Sequence, residues 1–119
     1  MNLVFVYGTL KRGFANHRLM EGQEFIGAAR TAPGYALYDL GGYPGMVADP
    51  AAAEGVGGEV WSVDDECLSG LDVLEGTSEG LYRRERVALL EPFEERHVEA
   101  YLYLRSVEGA KRLGGAWGP

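Results

Sequence analysis

Eighteen glycines and five prolines cut the 119 residues of this chain into short runs, and Val, Tyr and Phe recur between them. That punctuation favours strands of roughly 4–8 residues joined by turns over long helices. Seven candidate strands follow, at residues 3–7, 24–31, 35–39, 45–48, 57–63, 82–91 and 98–105. So many strands in so short a chain must close or sandwich to hide their edges. The expectation is a mainly β, α+β fold of one domain spanning residues 1–119, because this length leaves no room for a second core.

In the last of these strands Val98, Ala100, Leu102 and Leu104 alternate with Glu99, Tyr101, Tyr103 and Arg105, which predicts one aliphatic and one amphipathic face. Residues 106–119, SVEGAKRLGGAWGP, carry four glycines and no periodicity, and read as an irregular tail whose Trp117 either docks on the body or stands exposed. Two segments read as helical. Residues 16–20 suit a short turn, and residues 65–74 form the longer helix, capped by Asp64, with acids in its first turn and Gly76 to stop it.

At 46% hydrophobic and 24% charged, the composition supports a true core. Eleven Lys and Arg against eighteen Asp and Glu give a net charge of −7, a field that repels phosphate backbones and anionic membranes. Neither nucleic acid nor a membrane is an expected partner, and oligomeric state is not legible. The one cysteine, Cys67, has no partner for an internal disulfide; no apolar run is long enough to span a bilayer, and none has the flanks of a secretory leader. The chain therefore reads as cytoplasmic.

Two features point to chemistry. On the longer helix, at about 100° per residue, Val63, Cys67, Leu68, Leu71 and Leu74 share a side, and Glu75 falls about 20° from Leu68. An acid there either faces the core or a cleft cut into it, or swings out to water at the fraying helix end. Held against apolar surface, its charged form is destabilised and its proton affinity rises towards the range of a general base. The second feature is the opening stretch LVFVYGTLKRG, in which a strand gives way at Tyr7-Gly8 to a polar loop. Consecutive N–H groups beside a glycine suit a small carboxylate or a developing oxyanion, and an ordinary turn at Gly8 is the plain alternative.

Together the segments VFVYGTLKRGFANHRLM and LDVLEGTSEGLYRRERV, with YPGMV and GGEVWSV between them, resemble the gamma-glutamylcyclotransferase-like (AIG2-like) family over nearly the whole chain. The resemblance implies a small mixed β-barrel of about six to seven strands flanked by short helices. It also implies an enzyme that turns a gamma-glutamyl amine or amide into 5-oxoproline and frees the amine. By the same resemblance the catalytic glutamate is Glu75, and the substrate loop is Tyr7, Gly8, Thr9 and Leu10. Tyr43 and Tyr82 are further pocket candidates. No cofactor or metal is expected, since no His, Cys and carboxylate cluster has ligand spacing. His17, His97, Lys11 and Arg12 read as surface residues, and Cys67 as inert. A binding module on the same barrel, without catalysis, is the alternative.

Overall fold

The structure, a computed structural model, describes residues 2–117. Eight strands form one mixed sheet: β1 (Asn2–Val6), β2 (Glu24–Arg30), β3 (Tyr35–Asp39), β4 (Pro44–Ala48), β5 (Gly57–Val63), β6 (Tyr82–Arg86), β7 (Glu99–Tyr103) and β8 (Lys111–Leu113). The order is β2-β5-β1-β7-β4-β3-β8, with β6 on the other edge of β7. One helix, α1 (Asp65–Leu74), and two 3₁₀ turns at His17–Met20 and Thr77–Glu79 flank it. Mainly β architecture with short flanking helices is thus what the sequence leads one to expect. No helix among the described residues is long and apolar enough to cross a membrane.

Strand β7 organises the sheet. On one edge it pairs with β6 along its length, and on the other it is shared by β1 near Glu99 and β4 near Leu102, both parallel to it. Its alternation works as expected up to Leu102. Val98, Ala100 and Leu102 are buried in the barrel core with Phe5, Leu37, Met46 and Val60, while Tyr101 faces a second core with Val4, Val6, Trp61, Leu68 and Leu71 under α1. Leu104 breaks the pattern, being 45% exposed beyond the strand's end.

Two expectations change. The predicted strand over residues 82–91 leaves β7 after Arg86. Residues 88–90 cross instead to the end of β2, where Leu90 N–H donates to Arg30 O (2.9 Å) and Ala32 N–H to Ala88 O (2.9 Å). This crossing closes a ring of β2, β5, β1, β7 and β6 around the buried Val87 and Leu89. Nor is the tail irregular throughout. Residues 111–113 make β8 on the edge of β3, with Leu37 opposite Leu113, and Trp117 packs on the barrel core. Three residues are too few for a period-two signal, so only the partner strand reveals this one. Gly118 and Pro119 lie outside the described residues.

Helix α1 is built by local chemistry. The Asp64 carboxylate accepts from Cys67 N–H at 2.7 Å, Asp65 and Glu66 sit in the first turn, and Leu68 and Leu71 are buried. Gly76, at φ 63°, supplies the left-handed residue that ends it.

Candidate active site

Where β1 and β4 part along the edge of β7, a cleft of about 360 Å³ opens. Glu75, Tyr7, Gly8, Thr9, Leu10, Tyr43 and Tyr82, the seven residues singled out from the sequence, all line it. Chain segments far apart in sequence meet here: the end of β1, the turn into β4, the end of α1 and the start of β6.

Glu75 ends α1 as its C-terminal cap, its N–H bonded to Leu71 O at 2.9 Å. The side chain faces the cleft, not open water. Burial pushes its carboxyl up to about 7, into the range where a carboxylate accepts and returns protons near neutrality.

Three phenols surround it, and each spends its proton elsewhere. Tyr7 donates to Tyr101 O at 2.6 Å and accepts from Met46 N–H at 3.1 Å, so one buried hydroxyl bridges the seam between β7 and β4. Tyr82 donates to Pro44 O at 2.8 Å, and Tyr101 to Asp72 Oδ1 at 2.7 Å. Burial raises the proton affinity of all three, and the nearby Glu75 charge adds to it. They remain neutral walls, which leaves Glu75 as the lining group poised to exchange a proton near pH 7. Tyr43, 40% exposed, stands at the mouth.

The opening loop is stapled shut. Lys11 N–H donates to Gly8 O (3.1 Å), Asn16 N–H to Thr9 O (2.9 Å) and Asn16 Nδ2 to Thr9 Oγ1 (3.0 Å). Among the described residues, none accepts a hydrogen bond from the N–H of Gly8, Thr9 or Leu10. Buried or half-buried donors of this kind call for an acceptor from outside the described residues, such as solvent or ligand.

Gly8 is required by packing. A Cβ there would lie 2.6 Å from Pro44 Cγ, so the proline ring occupies the space a side chain would need. Gly8→Val is therefore expected to push Pro44 outward and lower stability by roughly 1–3 kcal/mol. Thermal unfolding checks it, and a variant with wild-type stability would contradict this packing role.

Other expectations resolve individually. His17 is not a surface residue: its Nδ1 lies 2.9 Å from Leu10 O and its ring packs edge-on against Trp61, so it buttresses the loop. His97 is exposed. Lys11 and Arg12 turn away from the cleft; Lys11 Nζ donates to Trp117 O (2.7 Å), and Arg12 pairs with Glu59 at 3.1 Å while covering the Phe25 ring. Cys67 is partly buried, its thiol held protonated by that burial and by the charge of Asp64. Leu74, expected in the packed stripe, is 41% exposed and lines the cleft instead. Among the described residues, no group of three or more His, Cys, Asp or Glu side chains is arranged to hold a metal ion.

Residues 4–118 match the family described as gamma-glutamyl cyclotransferase, AIG2-like. The chain belongs to this family. It is 41% identical over 100 residues to human gamma-glutamylaminecyclotransferase, covering 76% of this chain and 65% of the relative. With the gamma-glutamylcyclotransferase family protein YtfP of Escherichia coli it shares 34% over 115 residues, covering 96% and 94%. The fold superimposes on that of a mouse AIG2-like protein with a TM-score of 0.86 at 26% identity, covering 99% and 88%.

Within this family member, sequence inspection alone passes over Asn16 and Tyr101, which line the cleft, and Asp72 and Arg84 behind it. Tyr101 carries one faint signal, its place on the amphipathic face of β7. Asp72 and Arg84 carry none, because an acid on a helix and a base on a strand are ordinary surface residues until the two elements meet.

Proposed function

We propose that this family member converts a gamma-glutamyl amine or amide into 5-oxoproline and releases the free amine, with Glu75 moving the protons. One observation carries the proposal: an isolated carboxyl with raised proton affinity lines the same cleft as three consecutive loop N–H groups that have no acceptor among the described residues. The substrate's α-amino nitrogen attacks its own γ-carbonyl carbon, and at neutral pH that nitrogen is an ammonium. Glu75 takes the proton, the ring C–N bond forms, and the neutral carboxyl returns a proton to the departing nitrogen as its bond to carbon breaks; the second proton on the new ring nitrogen then passes through the ionised Glu75 to the freed amine, which leaves as an ammonium. Nucleophile and electrophile belong to one molecule, so the cleft's main task is to hold the glutamyl chain folded for attack. The N–H groups of residues 8–10 grip either the α-carboxylate or the developing oxyanion.

Charge in the cleft bears on the departing group. Its described lining holds no Lys, Arg or His and one carboxyl, Glu75. A leaving group with a carboxylate beside the scissile nitrogen meets no counter-charge there. A gamma-glutamyl alkylamide such as the n-propylamide is expected to exceed gamma-glutamylalanine in kcat/KM by about tenfold or more.

Incubating the protein with a panel of gamma-glutamyl amides and assaying 5-oxoproline tests the function directly. Release of 5-oxoproline with an equal amount of amine is the expected result. A panel that yields none would leave a ligand-binding module on the same barrel.

A further inference from the structure

Helix α1 is anchored unevenly along its length. Its buried residues are Leu68 and Leu71; beyond them Val73 is 80% exposed and Leu74 41%, so apolar packing gives out before the turn that carries Glu75. That turn also starts at an electrostatic disadvantage. No basic residue accompanies it, and an ionised carboxylate at a helix C-terminus opposes the partial negative charge of the unpaired carbonyls. A turn with so little to hold it is prone to fray.

Its anchor is polar. Asp72 accepts from Arg84 of β6 twice, Oδ1 from Nε at 2.9 Å and Oδ2 from Nη2 at 3.2 Å, a two-pronged grip that fixes orientation as well as distance. The same Oδ1 accepts from the Tyr101 hydroxyl of β7, and the third Arg84 nitrogen pairs with Glu99, also of β7. On the far side of Glu75, Thr77 Oγ1 donates to Asp72 O at 3.2 Å. Glu75 therefore lies between Asp72, which is fixed to both strands, and Thr77, which is bonded back to Asp72.

We propose that Asp72, gripped by Arg84 and Tyr101, is a positioning residue that pins the last turn of α1 to β6 and β7 and so holds the Glu75 carboxyl in the cleft wall. This rests on the assignment of Glu75 as the proton-transfer group. The network acts by geometry and exclusion of water. Burial pushes the Asp72 carboxyl up, but hydrogen bonds from Arg84 and Tyr101 outweigh it and hold the group below its ordinary range, and the bond to Asp72 raises Arg84 in turn. Both stay ionised through neutrality. The titratable groups that face Glu75 are Tyr7 just after β1, Tyr82 of β6 and Tyr101 of β7, all held neutral by burial.

Arg84→Lys is the decisive variant, because it keeps the positive charge and loses the fork. Against gamma-glutamyl-n-propylamide it is expected to lower kcat by about 10- to 100-fold, the penalty for a misplaced catalytic group, with KM within about threefold of wild type. Without any substrate, the carboxyl carbon of Glu75 in ¹³C-labelled protein should titrate at lower pH than in wild type, as water reaches a loosened turn. Asp72→Asn should behave alike. A folded Arg84→Lys protein with wild-type kcat and a wild-type Glu75 midpoint would overturn the proposal. Loss of stability alone, with both readouts unmoved, would overturn it equally and leave Asp72 as a helix fastener. Failure of the underlying assignment is separable: it appears as undiminished turnover in Glu75→Gln, which the substrate-free titration does not depend on.

Discussion

Glu75→Gln is expected to keep the fold and to abolish 5-oxoproline formation, a loss of at least about 10²–10⁴-fold, the usual contribution of a positioned acid–base group. The amide is nearly isosteric and cannot take a proton. In the wild type, kcat/KM should rise with pH through about 7, where the buried carboxyl ionises, and then level. Turnover by Glu75→Gln at the wild-type rate would remove Glu75 from the mechanism.

The same variant has a signature in stability. Burial raises the Glu75 carboxyl from 4.5 to about 7, so between those values the folded chain holds a proton that the unfolded chain has released. Stability therefore falls as pH rises across that window, and the ionised group works against the fold above it. That rise in proton affinity corresponds to roughly 3 kcal/mol. Glu75→Gln should match wild type below pH 4.5 and exceed it by roughly that amount at pH 8, as read from urea unfolding at both pH values. Equal stability at pH 8 would mean that the carboxyl is not held in an apolar wall.

Tyr7→Phe is expected to be among the most destabilising single-atom changes in the chain. Its hydroxyl satisfies two buried backbone groups at once, Tyr101 C=O and Met46 N–H, on the strands that meet at the seam. Losing it leaves both unpaired, at about 1–3 kcal/mol each, a large part of the stability of a small protein. The β4 end of the seam, with Tyr43 and Pro44 in the cleft wall, should loosen, so turnover should fall as well. Urea unfolding and 5-oxoproline assays check both, and wild-type stability would show that solvent replaces the hydroxyl.

How much of this was legible depended on the range of the interactions involved. Helix α1 was readable to the residue because its cap at Asp64, its stripe at Leu68 and Leu71 and its stop at Gly76 act within a few positions of one another. The strand at 82–91 was readable only in part. Its apolar content is continuous, yet its second half pairs with a different partner, and nothing local marks the change. β8 was invisible for the same reason, being three residues whose strand identity comes wholly from β3.

The site divides in the same way. Helical phase on α1 pointed Glu75 towards the core or a cleft and left a swing out to water open, and the Tyr-Gly-Thr-Leu segment marked a loop with donors to spare. Family likeness linked the two. What the chain order could not supply was the surroundings: the burial that raises the Glu75 carboxyl, the Tyr7 bridge, and the grip of Arg84 on Asp72. Gly8 illustrates the difference, since its sequence context suggested room for a ligand and its structural partner is Pro44. The sequence by itself determined helix α1 and most of the strands, and it marked a loop with donors and an acid near the packed face, because these follow from residue type and short-range periodicity. Only the tertiary structure decided that they face one another across a single cleft, because proton affinity and hydrogen-bond satisfaction depend on what non-local packing removes from water.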